Sequence, residues 1–251
     1  MIEYLKAESI KMKASVSKRI LLFVPLFFLL FSIFTVLFAN QQGTFNVFLA
    51  QVFNQWPLLF LPIGLAIACS SNIGLEKKSG NYKAIIANDF SLSKTWYSKV
   101  LNMAGYQGLS SFIIIVIALV GSLLISSEFP DITNILYTTF LITLVALPLI
   151  PFNLILSQYF GMVITVTANF IGAIISVIWL APNETFWLTP WANMLRIPAA
   201  TMGIHPNGTS IEAGSSLHNS SILGLSVVVS ILYFISLLIL STFIFKKKVM
   251  K

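Results

Sequence analysis

Charge is what this chain has least of. Asp, Glu, Lys and Arg make up 9% of its 251 residues, against 57% hydrophobic. Mean hydropathy is +0.90. Soluble domains carry roughly 25% charged residues, so the balance excludes that class and points to a bilayer. Cysteine is nearly missing too. Cys69 stands alone, which rules out an intrachain disulfide framework and a cysteine metal site. No G-x-x-x-x-G-K-[ST] occurs, so nothing cradles nucleotide phosphates in the usual way. No H-E-x-x-H occurs either, and both histidines, His205 and His218, lie in one polar stretch.

Six long apolar runs are present, at 20–39, 52–74, 100–125, 132–156, 161–181 and 222–245. Crossing the hydrocarbon takes about 20 apolar residues per helix. The expected fold is therefore all-α and integral to the membrane, one domain over residues 1–251 with six transmembrane helices. The runs hold no Asp, Glu, Lys, Arg or His. A proton-coupled pump would carry ionisable groups at membrane depth, where they are costly and mark ion relays. The chain is thus expected to be no enzyme, to bind no cofactor or metal, and to lack a motor of its own. A sodium site made of carbonyls and hydroxyls stays open. Asn102, Gln107, Asn153 and Asn169 supply weak polarity inside the runs. They are candidates for lining a substrate path, with helix packing as the plain alternative.

Net charge is +7. In a soluble chain this could mean nucleic acid; here its distribution argues against that partner. Fourteen of the 15 basic residues fall in residues 1–19, in 75–99 and after Phe245, and only Arg196 lies elsewhere. With six crossings those segments share one side. The positive-inside rule places both termini in the cytoplasm. Residues 1–19 read as an interfacial helix on the inner leaflet, with Ile2, Leu5, Met12 and Val16 on one face and lysines near anionic lipid.

Residues 182–221 form the largest outer segment. Thr189 followed by Pro190 has the pattern of an N-cap with proline at the first helical position. Trp187, Trp191, Met194 and Leu195 then recur at helical spacing. The expectation is a short amphipathic helix in the outer interface, serving as a substrate lid or as an anchor. Its continuation, "HPNGTSIEAGSSLHNS", reads as mobile loop.

The connection 75–99 is longer and more polar than a simple turn needs. Glu76 leaves the second run, Gly80 permits a turn, and Tyr82, Ile85 and Ile86 give a short apolar face. Asp89, with Ser91 or Ser93, can cap the helix that restarts. Such a helix suits either the lipid surface or a groove on a soluble partner. With no internal motor, the partner reading gains weight.

The layout resembles the permease subunit of type-2 ABC exporters. The pattern Glu76-x-x-x-Gly80-x-Tyr82 with "SLSKTWYSK" is similar to that class's loop between spans two and three. Within the class, "LKAESIKMK" (5–13), "WPLLFLPIGLAIA" (56–68) and "EKKSGNYK" (76–83) resemble bacterial lantibiotic-immunity permeases of the MutG kind. One departure is "AND" at 87–89, where related permeases often carry a proline. The resemblance implies a coupling helix between spans two and three and an outer hairpin between spans five and six. It implies a second homologous permease, and a separate cytoplasmic ATPase on each half that binds ATP and magnesium. The implied role is expulsion of an amphipathic antimicrobial peptide, a bacteriocin, from the producer's cytoplasmic membrane. Another cargo (drug, lipid or polysaccharide) and ATP-independent peptide sequestration remain as alternatives.

Overall fold

The computed structural model describes residues 1–13, 15–37, 46–80, 82–125, 130–212 and 214–250. The described chain is helical: α1 (Ile2–Lys13), α2 (Val16–Leu37), α3 (Val47–Gln55), α4 (Leu61–Lys78), α5 (Lys83–Ala87), α6 (Leu92–Ile125), α7 (Ile132–Ala146), α8 (Leu149–Ile175), α9 (Pro190–Met202) and α10 (Ile222–Val249). Among these residues the nearest thing to a strand is one isolated bridge between Ile204 and Ser210.

Five segments are long and apolar enough to cross a membrane: Val16–Thr35, Val47–Lys78, Leu92–Leu124, Ile132–Leu180 and Ile222–Val249. The second joins α3 to α4 through a π-helical turn at Trp56–Phe60. Pro57 lies in that turn; it lacks an N–H, and the wider winding accommodates the missing bond.

The fourth segment has 49 residues. Straight, it would measure about 74 Å, over twice the hydrocarbon thickness of about 30 Å. It is not straight. Gly161 has φ 81° and ψ −176°, outside helical geometry. Asn169 Nδ2 donates to Asn153 Oδ1 at 2.6 Å across 16 residues of chain. In one continuous helix those residues would sit about 24 Å apart. The chain therefore reverses at Gly161, and the two arms of α8 lie side by side. Pro148 sets a second, milder break between α7 and α8, bridged by tight i→i+3 bonds.

α4 packs chiefly on α8, α2 on α4 and α6, and α7 on α9 and α6, while α1 lies along α6. Helix ends follow ordinary capping. Asn46, Asp131 and Thr189 accept from Leu49, Asn134 and Ala192 N–H groups. Gly203 ends α9 in the left-handed conformation.

The helices overrun the apolar runs. α6 begins at Leu92 and α4 ends at Lys78, so much of 75–99 is helix. Hydropathy marks the bilayer slab, whereas backbone hydrogen bonding continues wherever residues tolerate it. The last two residues of the first expected run, Phe38 and Ala39, lie outside the described residues. α1 forms but ends at Lys13 rather than running to residue 19, and Val16, exposed, opens α2; the buried face of α1 is Glu8 and Met12, while Ile2 is exposed. The stretch after α9 is also more ordered than its composition implies. His205 N donates to Thr209 O, Gly208 N to His205 O, and Asn54 Nδ2 on α3 to Pro206 O at 2.6 Å.

At Gly121 a Cβ would overlap the Phe48 ring. Gly121→Ala is expected to destabilise the chain by about 1–3 kcal/mol, as overpacking does. Pairing it with Phe48→Leu should recover most of the loss, read as thermal unfolding in detergent.

Candidate functional site

The basic residues gather at one end of the bundle, where α1, the end of α4, the start of α6, the Gly161 reversal and the end of α10 meet. At the centre is Lys99, whose side chain is fully buried. Its ammonium donates to Glu8 Oε1 at 2.6 Å, Asn72 Oδ1 at 2.7 Å and Glu76 Oε1 at 3.0 Å. An ammonium has three protons, and each finds an acceptor. Asn72 and Glu76 share a face of α4 at i, i+4 spacing, so both reach α6. Glu8 comes from α1. Asn72 Nδ2 closes the ring on Glu8 Oε1 and Met12 Sδ. Lys11, half exposed, pairs with Glu76 at 2.8 Å. Two carboxylates thus meet two ammoniums, and the cluster is neutral.

The loop rests on this cluster. Gly80, Tyr82 and Asp89 all have positive φ, at 99°, 67° and 54°. Only glycine adopts that geometry freely; Tyr82 accepts about 1–2 kcal/mol of strain. Burial of the ring offsets it. Tyr82 is 3% exposed. Its hydroxyl donates to Gln158 Oε1 at 3.1 Å, and its ring meets Phe245 edge-on at 5.1 Å. Burial, with the Glu76 and Glu8 carboxylates beyond, pushes the phenol far above its ordinary pKa, so it stays a donor. Beside it Trp96 stacks on Phe245 and donates to Ser241 Oγ. Tyr4 of α1 accepts from Ser91 N and touches Phe90 edge-on. A cavity of about 410 Å³ lies between α1, the loop and α6, lined by Tyr4, Glu8, Ile85, Phe90, Thr95 and Ser98.

The expected loop residues thus divide. Glu76 and Tyr82 face inward, and Ile85 is half buried. Ile86, Asp89 and also Phe90 are exposed, Ile86 by 51%. Asn102, a candidate for path lining or helix packing, braces α1 by donating to Leu5 O and also donates to Ser98 O of its own helix. Gln107 donates to Thr143 O inside the bundle.

At the opposite end, Met194 and Leu195 are buried, Trp191 is partly buried, and Trp187 is 39% exposed. α9 is buried from Ala192 to Ala199. That is a core element, not a helix resting on an interface. Trp191 donates to Asn169 Oδ1, and its ring fills the space a Cβ at Gly172 would take. Arg196 is fully buried, with its guanidinium 5.5 Å over the Phe186 ring. Nε and Nη1 have no hydrogen-bond partner among the described residues. Burial lowers its pKa, opposed by Glu184.

Sequence reasoning did not bring Glu8, Asn72 and Lys99 together. The available signal was a lysine and a glutamate placed just outside facing ends of two apolar runs, with an asparagine one turn inside.

Residues 4–183 match a family described as ABC-2 family transporter protein. The chain belongs to that family. It is a multi-pass membrane subunit without an ATPase motif, and the family implies association with an ATPase subunit. No curated protein and no solved structure matches it.

Removing one partner from a buried ion pair costs about 3–5 kcal/mol. Lys99→Met is expected to lose that much stability, whereas exposed Lys11→Ala should lose under about 1 kcal/mol. Thermal unfolding of each purified variant measures the contrast.

Proposed function

We propose that this chain is the membrane-spanning half of an ABC exporter, coupled to its ATPase through residues 79–91. The observation that carries the reading is the exposed apolar pair Ile86 and Phe90. They stand on a loop braced from below by the Lys99 cluster and the Tyr82–Phe245 contact. An apolar knob on a yielding loop would transmit little force. This one rests on α1, α4, α6 and α10 together. α10 also reaches the far end, where Ser226 O and Ser230 Oγ accept from Asn193 of α9.

The reversal at Gly161 supports six crossings. α1 is read as interfacial, α5 as the coupling helix, and α9 with its following turn as the outer hairpin. Fourteen of 15 basic residues then fall on one side, which the positive-inside rule makes cytoplasmic, with both termini. Nucleotide and magnesium belong to an ATPase on each half, and a second homologous permease completes the pathway.

For cargo, the resemblance at 5–13, 56–68 and 76–83 supports a lantibiotic-type peptide expelled for self-immunity in a bacterial producer. A second reading, a lipid or polysaccharide cargo, is favoured by one observation. The buried charge near α9 is the cation Arg196, which suits anionic or neutral groups better than a cationic peptide.

Ile86→Asp is expected to cut ATPase association and cargo export at least tenfold, with insertion and thermal stability unchanged. Co-purification with the ATPase and survival of cells against a lantibiotic panel are the readouts. Normal association and full export in this variant would refute the docking assignment. Full ATPase association without protection against any panel member would favour the other cargo.

A further inference from the structure

A second charged region lies at the same end, around the last turn of α10. The first arm of α8 ends at the Gly161 reversal, so the carbonyls of its last turn lack helical partners. Lys77 Nζ donates to Gln158 O at 3.1 Å and to Ser157 O at 3.5 Å. Lys248 Nζ donates to the same Gln158 O at 2.8 Å. The two ammoniums are therefore no more than about 6 Å apart, a distance at which like charges repel appreciably near a protein surface. A carbonyl accepts protons without cancelling charge. Among the described residues the salt bridges all belong to the Glu8–Glu76 cluster, and none reaches Lys77 or Lys248.

Lys248 also lies 3.9 Å from the centroid of the Tyr159 ring. Around this point is a groove of about 600 Å³, lined by Tyr159, Phe243, Ile244, Lys247 and Lys248. Its two ends differ. Lys247 and Lys248 form one, on the last turn of α10. Phe243, 66% exposed, and Ile244 form the other, one turn deeper along a helix of membrane-spanning length.

We propose that this groove binds the phosphodiester headgroup of an anionic phospholipid, with the start of an acyl chain against Phe243 and Ile244. The headgroup supplies the negative charge that Lys77, Lys247 and Lys248 lack. The apolar end argues for a lipid over a free anion, which would use the lysines alone. Basic pockets between transmembrane helices take such headgroups. The bound lipid ties the α8 reversal to α4 and α10. The site adjoins the docking loop at Gln158, whose side chain accepts from Tyr82 while its carbonyl accepts from the two lysines, and it does not depend on the cargo.

The test uses the purified full-length chain in neutral detergent, examined by native mass spectrometry. The probes are phosphatidylglycerol, phosphatidylcholine of the same acyl chains, and inorganic phosphate. The chain is expected to retain phosphatidylglycerol at least tenfold over phosphatidylcholine. Lys247→Gln with Lys248→Gln should abolish that preference, and Lys83→Gln on the loop should leave it intact. Lys248 holds Gln158, so the double variant could unfold the end of α10. Lys247→Gln alone guards against this, because Lys247 has no hydrogen bond or ion pair with the described residues; it should weaken retention about threefold. Equal retention of the two lipids would overturn the proposal. So would a preference untouched by either variant, or full displacement of phosphatidylglycerol by millimolar phosphate.

Discussion

A single ammonium with no solvent, Lys99, governs the basic end of this bundle. A buried charge is tolerated only when its protons are matched, and the matching groups come from two other helices: Glu8 on α1, Asn72 and Glu76 on α4. Separating any of the three helices would leave a charge stranded in low dielectric. They stay together or move together. Lys11, half exposed at the edge of the cluster, brings its net charge to zero. The positive φ at Tyr82 and the short α5 depend on the same platform, since the loop has little regular structure of its own.

The opposite end is held by different physics. Neutral side chains bridge there, Asn54 to Pro206 O and Asn193 to Ser226 O on the backbone, Trp191 to the Asn169 side chain. Such bonds are individually modest, about 0.5–1.5 kcal/mol each. They exchange partners at lower cost than a buried ion pair. The two ends are thus fastened by different means, a buried ion cluster at one and neutral hydrogen bonds at the other. α10 touches both, through Phe245 and Ser241 at one end and Ser226 and Ser230 at the other.

Much of this was legible in the residue order. The apolar runs marked the helices, and the scarcity of charge marked the bilayer. Thr189–Pro190 marked the start of α9, and the polar insert marked the loop. Where the reading went astray, a local rule met a tertiary demand. The α1 face was assigned by hydrophobic spacing, yet Glu8 is turned inward because Lys99 is there. Tyr82 was grouped with Ile85 and Ile86 as one short apolar face. The left-handed turn at Tyr82 instead sends its ring to Phe245 and leaves Ile86 outside. The "HPNG" stretch looked mobile, but Asn54, 152 residues earlier, fastens it.

By itself, the sequence determined the environment and the elements. Runs of about 20 apolar residues have nowhere to go but lipid, and in lipid the backbone must satisfy itself as helix. Caps, prolines and glycines then place the breaks within a few residues. Tertiary structure alone decided which polar groups meet. Glu8, the Asn72–Glu76 pair and Lys99 are far apart in the chain, and only the packing of α1, α4 and α6 brings their atoms within 3 Å or so. The reversal at Gly161 lies at the boundary between the runs 132–156 and 161–181; what the fold adds is the side-by-side pairing of the two arms, seen in the bond from Asn169 to Asn153. Local patterning reports what each segment prefers. Electrostatic matching in a dry interior is a property of the whole fold.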